Sequence, residues 1–157
     1  MGTVRRRPDD GCLEPSLPVI LLDTHVLIWV ASRNTAKLDA AKLEALDATI
    51  REGSAAVSSV TFWELEHARR DPMNSVSSSW STREARQRLL ARGLIDVSPT
   101  AEVLIASVEL GDTDFHSDPM DRIIAATAID RDWPLATLDK RIITWANRTG
   151  RLRLHSI

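Results

Sequence analysis

"VILLDTHV", residues Val19 to Val26, runs from four apolar side chains straight into an acid, Asp23. The apolar part, Val19 to Leu22, is rich in β-branched and leucine residues, and such an unbroken run predicts a strand buried on both faces, as in a parallel sheet. An acid at the far end of that strand is either a cap for the next element or a ligand. Outward from this stretch, short apolar strands and amphipathic helices alternate to the C-terminus. "DAAKLEALDATIRE", Asp39 to Glu52, sets Ala40, Leu43, Leu46 and Ile50 at helical intervals, with Gly53 where a C-terminal cap belongs. "AAVSS" predicts a strand, "TFWELEHARR" a helix, "STREARQRLLARG" a helix closed by Gly93, and "LIDV" a strand. Ser98-Pro99 or Thr100 opens the helix "AEVLIASVELG", and Asp118-Pro119 opens "MDRIIAATAIDRD", with proline suited to the first helical position. "PLATLD", "KRIITWANR" and "LRLHSI" complete the chain. Strands alternating with helices at this spacing predict a three-layer α/β/α fold with a central, mainly parallel sheet.

A chain of 157 residues has the length of one domain and can bury most of its apolar surface. With 43% hydrophobic and 27% charged residues and a net charge of -2, it reads as an ordinary globular protein, neither disordered nor membrane-embedded. A near-neutral balance excludes long-range steering of a polyanion, so any nucleic-acid contact must come from a local patch. The single cysteine, Cys12, rules out an internal disulfide and suits a reducing compartment. Arg5, Arg6 and Arg7 resemble the start of a signal peptide, but Pro8-Asp9-Asp10-Gly11 follows where an apolar segment would stand, so a cytoplasmic protein is expected. Residues 1–17 read as a flexible lead-in, and 18–157 as the folded domain. "RRDPMNSVSSSW", Arg69 to Trp80, reads as a loop.

Four acids sit at element junctions. Asp23 and Asp139 end strands, while Glu64 and Asp121 lie in the first turns of helices. In a parallel α/β sheet the strand C-termini and helix N-termini gather along one edge, so these four are expected to converge. Each has a plain structural account as well: Thr61-Phe62-Trp63-Glu64 fits a capping box, Asp118 can cap a helix with Asp121 at its third position, and Asp23 and Asp139 can be N-caps. Convergence changes the balance, since two unit charges about 4 Å apart repel by roughly 4 kcal/mol at an effective dielectric near 20. A cation is then required. No histidine and cysteine cluster accompanies the acids, so Mg²⁺ or Mn²⁺ fits better than zinc, and metal-assisted phosphoryl hydrolysis is the natural chemistry.

"LLDTHVLIW", "SSVTFWELE", "FHSDPMDRIIAATA" and "LATLDKRI" together resemble, in order and spacing, the motif set of PIN-domain ribonucleases, with VapC-type toxins most similar. The resemblance runs from about Ile20 to the C-terminus. It implies a metal-dependent endoribonuclease, held inactive by a cognate VapB-like antitoxin lying in a groove by the active site, and a homodimer. Carried over by motif position, Asp23, Glu64, Asp121 and Asp139 would be the catalytic and metal-holding acids. Thr137, two residues before Asp139, would orient a water or an acid, and Thr24 would do likewise beside Asp23. The segment after "WELE" departs from the family, because His67-Ala68-Arg69-Arg70 stands where a lysine and a short glycine turn are usual.

Several neighbours have competing accounts. His25 and His116 lie near the acids, and structural hydrogen bonding is the stronger account of both. Asp118 reads as a cap that could reach a metal-bound water, and Arg122 as a partner either of the acids or of phosphate. Arg83, Arg86, Arg88 and Arg92, with Lys140, Arg141, Arg148, Arg151 and Arg153, could hold an RNA backbone, although a charged face is usually only solvated. Trp29, Trp63, Trp133 and Trp145 stand in apolar contexts that favour packing over base stacking, with Trp29 and Trp63 able to border an antitoxin groove. Two rivals remain. One is a haloacid-dehalogenase-like phosphatase with Asp23 as nucleophile, Ser58 or Ser59 as phosphate ligand and Lys140 as charge stabiliser, for which His25 stands where a second aspartate is needed. The other is a non-catalytic RNA- or partner-binding module whose acids serve only as caps.

Overall fold

A computed structural model describes residues 18–71 and 81–157. The expectations for the 1–17 lead-in, for Cys12 and for the serine-rich part of the Arg69–Trp80 loop fall outside those residues. Five strands form the centre: β1 (Ile20–Leu22), β2 (Ala55–Ser58), β3 (Ile95–Val97), β4 (Leu135–Ala136) and β5 (Leu154–His155). Around them pack α1 (Thr24–Ser32), α2 (Ala40–Arg51), α3 (Val60–Arg70), α4 (Thr82–Ala91), α5 (Ala101–Glu109), α6 (Pro119–Arg131) and α7 (Lys140–Thr149). Among the described residues, no helix is long and apolar enough to cross a membrane.

Every strand pairing is parallel, in the order β3-β2-β1-β4-β5, with Ile20 opposite Ala55 and Leu21 opposite Leu135. The unbroken apolar run of β1 now has its reason. Ile20 and Leu22 face one side and pack with Leu27, Val30, Leu43 and Ile50 of α1 and α2. Leu21 faces the other, with Val103, Ile124, Ile142 and Trp145 of α5, α6 and α7. Leu21 and Leu22 have no exposed surface, and burying such a side chain contributes about 1.5–3 kcal/mol. Helices on both faces give the α/β/α layers.

The chain steps from β1 outward to β2 and β3, then returns to β4 on the opposite flank of β1. Between β1 and β4 the strand order reverses, and at such a reversal a crevice opens beyond the strand C-termini. Asp23 and Thr137, which follow β1 and β4, meet at this reversal.

Three local expectations are corrected. Helix α3 begins at Val60 behind Ser59, which makes no side-chain cap, so Thr61 and Glu64 form no capping box and both turn inward instead. Arg69 and Arg70 close that helix, as the reading of "TFWELEHARR" expected, so the loop read from Arg69 starts later, at Asp71. The segment after "AEVLIASVE" tightens into a 3₁₀ turn, Leu110–Thr113, which carries the chain toward the site.

Candidate metal centre

Asp23 leaves the end of β1 with its backbone N–H bonded to the Ala136 carbonyl at 3.0 Å, which pins it beside β4. It precedes α1 in the cap position but its carboxylate caps nothing. Oδ2 instead accepts a hydrogen bond from Thr137 Oγ1 at 2.6 Å, and buried Oδ1 has no hydrogen-bond partner. A carboxylate only 4% exposed with an orphaned oxygen is costly unless something cationic meets it. Next in sequence, Thr24 Oγ1 donates to Glu64 Oε2 at 2.5 Å and shares a hydrogen bond with Thr61 Oγ1 at 3.1 Å, which ties α1 to α3.

The remaining acids arrive on α6 and α7. Asp118 caps α6 by accepting from the Met120 N–H at 2.9 Å, with Pro119 behind it, and the first turn then presents Asp121. Asp139 caps α7, accepting from the Arg141 N–H at 2.7 Å and from Arg141 Nη2 at 3.1 Å. Its own N–H donates to Thr137 Oγ1 at 3.1 Å, so one threonine hydroxyl braces two acids.

Electrostatics records the convergence. Burial first, then the charges of Asp23, Asp118, Glu64 and Asp139, push the Asp121 carboxyl up to about 7. Glu64 is raised by burial, and by Asp23 and Asp118 against the Thr24 hydrogen bond. Burial also opposes ionisation of Asp139, but the hydrogen bonds and charge of Arg141 outweigh it and hold that carboxyl below the usual range. Capping and convergence therefore coexist, because Asp118 and Asp139 cap helices while their charges still act on Asp121. The donor set is oxygen-rich and carries a buried orphan oxygen, which fits a hard divalent cation.

A protein family described as "PIN domain" matches residues 20–147. The chain belongs to the PIN-domain family. It is 31% identical over 126 residues to "Ribonuclease VapC22" of Mycobacterium tuberculosis, covering 80% of this chain and 91% of that protein. Its fold is similar to a chain in the crystal structure of VapBC2 from Rickettsia felis bound to a DNA fragment from its promoter (TM-score 0.61, 18% identity, 87% of this chain and 97% of that one). A chain of DNA-bound VapBC from Salmonella typhimurium is likewise similar (TM-score 0.60, 17% identity, 88% and 98%). At those identities the two structures speak to fold, and the fold they share is the α/β/α architecture expected from the sequence.

Within this PIN domain, Arg122 does not join the acids. Its Nε donates to the His116 carbonyl at 2.8 Å, and its guanidinium covers Gly111, where an added Cβ would lie 2.6 Å from Nη1. Arg122 thus clamps the segment that carries His116. Of the phosphatase residues, Ser59 is engaged with Asp96 at 2.5 Å, and Lys140 lies exposed at the start of α7. Two of the arginines that could hold an RNA backbone pair with acids: Arg86 on α4 with Asp96 at 2.5 Å, and Arg92, which follows α4, with buried Asp47. Trp145 is buried as expected, but Trp63 is 57% exposed and stacks on His67 with ring centroids 5.0 Å apart.

His116 is the residue the sequence undersold. Its side chain is 8% exposed, its Nε2 lies 3.2 Å from Asp121 Oδ2 without the alignment of a hydrogen bond, and its ring stacks on Phe115. Burial, followed by the charge of Arg141, keeps its pKa below the usual value. The sequence signal was its place two residues before the cap of α6, which no helical or strand period encodes.

Proposed function

We propose that this PIN domain is a Mg²⁺- or Mn²⁺-dependent endoribonuclease toxin, with Asp23, Glu64, Asp121 and Asp139 as its metal-holding and catalytic acids. The observation that carries the reading is the buried Asp23 carboxylate, braced by Thr137 through Oδ2 and with its Oδ1 left without a hydrogen-bond partner. Asp118 and Asp139, the caps of α6 and α7, support it through the charge they exert on Asp121. Once bound, the ion supplies a water of lowered pKa and offsets negative charge on the phosphate and the leaving oxygen.

The protein's own groups supply positioning. Thr137 fixes the rotamer of Asp23 and the backbone of Asp139 together. Thr24 holds Glu64 by its Oε2, and Glu64, raised by burial and by its neighbours, is suited to accept a proton from the attacking water. The low exposure of Asp23 and Thr24 keeps bulk water from screening these charges.

The similar VapBC structures support control by a VapB-like antitoxin. The exposed Trp63–His67 stack, one residue from Glu64 in sequence, is the proposed edge of its groove. A second copy of the chain is the proposed partner for α5, where Ile105 and Val108 are exposed. With cellular RNA as the proposed substrate, a cytoplasmic protein is the matching proposal.

Incubation of the purified protein with total RNA, with and without Mg²⁺ or Mn²⁺ and beside Asp23→Asn, tests the reading. Cutting by the wild type with metal alone is the expected result. Equal cutting in EDTA, or by Asp23→Asn, overturns it.

A further inference from the structure

The segment between the 3₁₀ turn and α6 brings His116 against Asp121. From this segment His116 enters with its Nε2 buried and without an aligned hydrogen bond, although its side chain is more than nine-tenths covered. Buried imidazole nitrogens are ordinarily satisfied, so an orphan here calls for a ligand. One ligand atom each from His116, Asp121 and Asp139 can be chosen so that all three lie within 4.8 Å of one another.

The contact with Asp121 discriminates further. Nε2 and Oδ2 are 3.2 Å apart, close enough to hydrogen-bond, yet the ring N–H direction misses the oxygen. Two atoms that bind one ion at about 2.1 Å in neighbouring octahedral positions stand about 3.0 Å apart, each aimed at the ion and not at the other. The pair has that spacing and that misalignment.

The ring is held in this pose from several sides. It stacks on Phe115 at 4.8 Å, and Phe115 meets Trp145 edge-on at 5.0 Å. Its carbonyl is gripped by Arg122, which rests on Gly111. On the far edge of the ring the Asp118 N–H donates to Nδ1 at 3.4 Å, a long hydrogen bond that metal binding through Nε2 would exchange for a protonated Nδ1. Arg141 pairs with Asp139 from a side chain 65% exposed, free to swing to solvent or toward a phosphate.

The geometry points to His116 as a nitrogen ligand, through Nε2, of a cation shared with Asp121 and Asp139. This rests on the metal-dependent reading above and sharpens it. A mixed nitrogen and oxygen set favours a first-row transition ion over Mg²⁺, because Mg²⁺ binds imidazole poorly and keeps to oxygen and water. Of the two ions proposed above, such a set would hold Mn²⁺ more tightly than Mg²⁺.

Mn²⁺ itself is the probe. Electron spin-echo spectroscopy of the full chain with Mn²⁺ should show the ¹⁴N coupling of a directly bound imidazole, and His116→Gln should lose it. Calorimetry should find Mn²⁺ weakened at least about tenfold by His116→Gln and Mg²⁺ nearly unchanged, the size typical when a metal site loses a supporting group. Asp23→Asn is the control for the site as a whole. Mn²⁺ bound by the wild type and lost in Asp23→Asn, but with no nitrogen coupling, overturns the role of His116 and leaves the acid site standing. No Mn²⁺ binding by the wild type overturns both. Retained coupling in His116→Gln also overturns the assignment, since another nitrogen would be its source, and the wild-type spectrum decides even if the variant fails to fold.

Discussion

Thr137 Oγ1 donates to Asp23 Oδ2 at 2.6 Å, joining two residues 114 positions apart in the chain. The bond spans the reversal in strand order between β1 and β4, and the same oxygen accepts the Asp139 N–H. Replacing Thr137 by valine keeps the shape but leaves a buried carboxylate oxygen and an amide unpaired. The expected cost is about 1–3 kcal/mol of stability in chemical unfolding, with serine restoring most of it. Full stability in Thr137→Val would show the hydroxyl to be idle.

Asp121 gives a pH dependence of definite sign. Its folded pKa of about 7 lies above the ordinary 3.8, so the folded state binds more protons than the unfolded one between those values. Stability in EDTA should therefore fall as pH rises from about 4 to 7, and then level off as far as this group is concerned. Asp121→Asn should remove that slope and raise the melting temperature at pH 8. A melting curve in EDTA that is flat through this window contradicts the crowding of charge described above.

Metal should reverse the penalty. Asp121 must release its proton to serve as a ligand, so divalent-ion affinity should rise with pH up to about 7. At a hundredfold excess over its dissociation constant the ion adds about 2.7 kcal/mol to stability. Calorimetric unfolding with and without Mn²⁺ at pH 6 and pH 8 measures it, and Asp23→Asn should abolish the gain.

Gly111 and Arg122 act as one device. Gly111→Ala sets a methyl group 2.6 Å from Arg122 Nη1 and should push the guanidinium off the His116 carbonyl, much as Arg122→Ala removes it. Because the methyl group meets only the tip of the Arg122 side chain, the cost of Gly111→Ala should be that of losing the Arg122 bond, and the two costs should not add in the double variant. Simple additivity in a double-mutant cycle would mean that the contact transmits nothing.

Arg92 should behave as a fold residue. It pairs with Asp47, whose side chain is 6% exposed and which Arg51 also approaches, at 3.8 Å. Because Arg92 is 43% exposed, Arg92→Ala should cost about 1–3 kcal/mol, less than the 3–5 of a fully buried pair. The salt dependence of RNA binding should not change, whereas loss of a phosphate contact lowers that slope by about 1.

What the sequence determined by itself was local. An apolar run too continuous for a one-sided strand required a buried parallel sheet, and β1 shows its alternate residues on two separate cores. Caps such as Asp118 before Pro119, Thr100 before α5 and Asp139 before α7 were legible because the bonds that make them span only two or three residues. The placing of acids at strand ends and helix starts led to the expectation that they would meet; the charges of Asp23, Glu64 and Asp139 do act on Asp121, while the tight cluster is His116, Asp121 and Asp139. Tertiary structure decided what no local pattern encodes: that Thr61 and Glu64 turn inward to Thr24 rather than cap a helix, that Arg122 clamps a loop instead of facing the acids, and that His116 is buried against Asp121. In each case the partner comes from a distant element or from a loop without period, and its energy arises only after the sheet has closed and water has left the crevice.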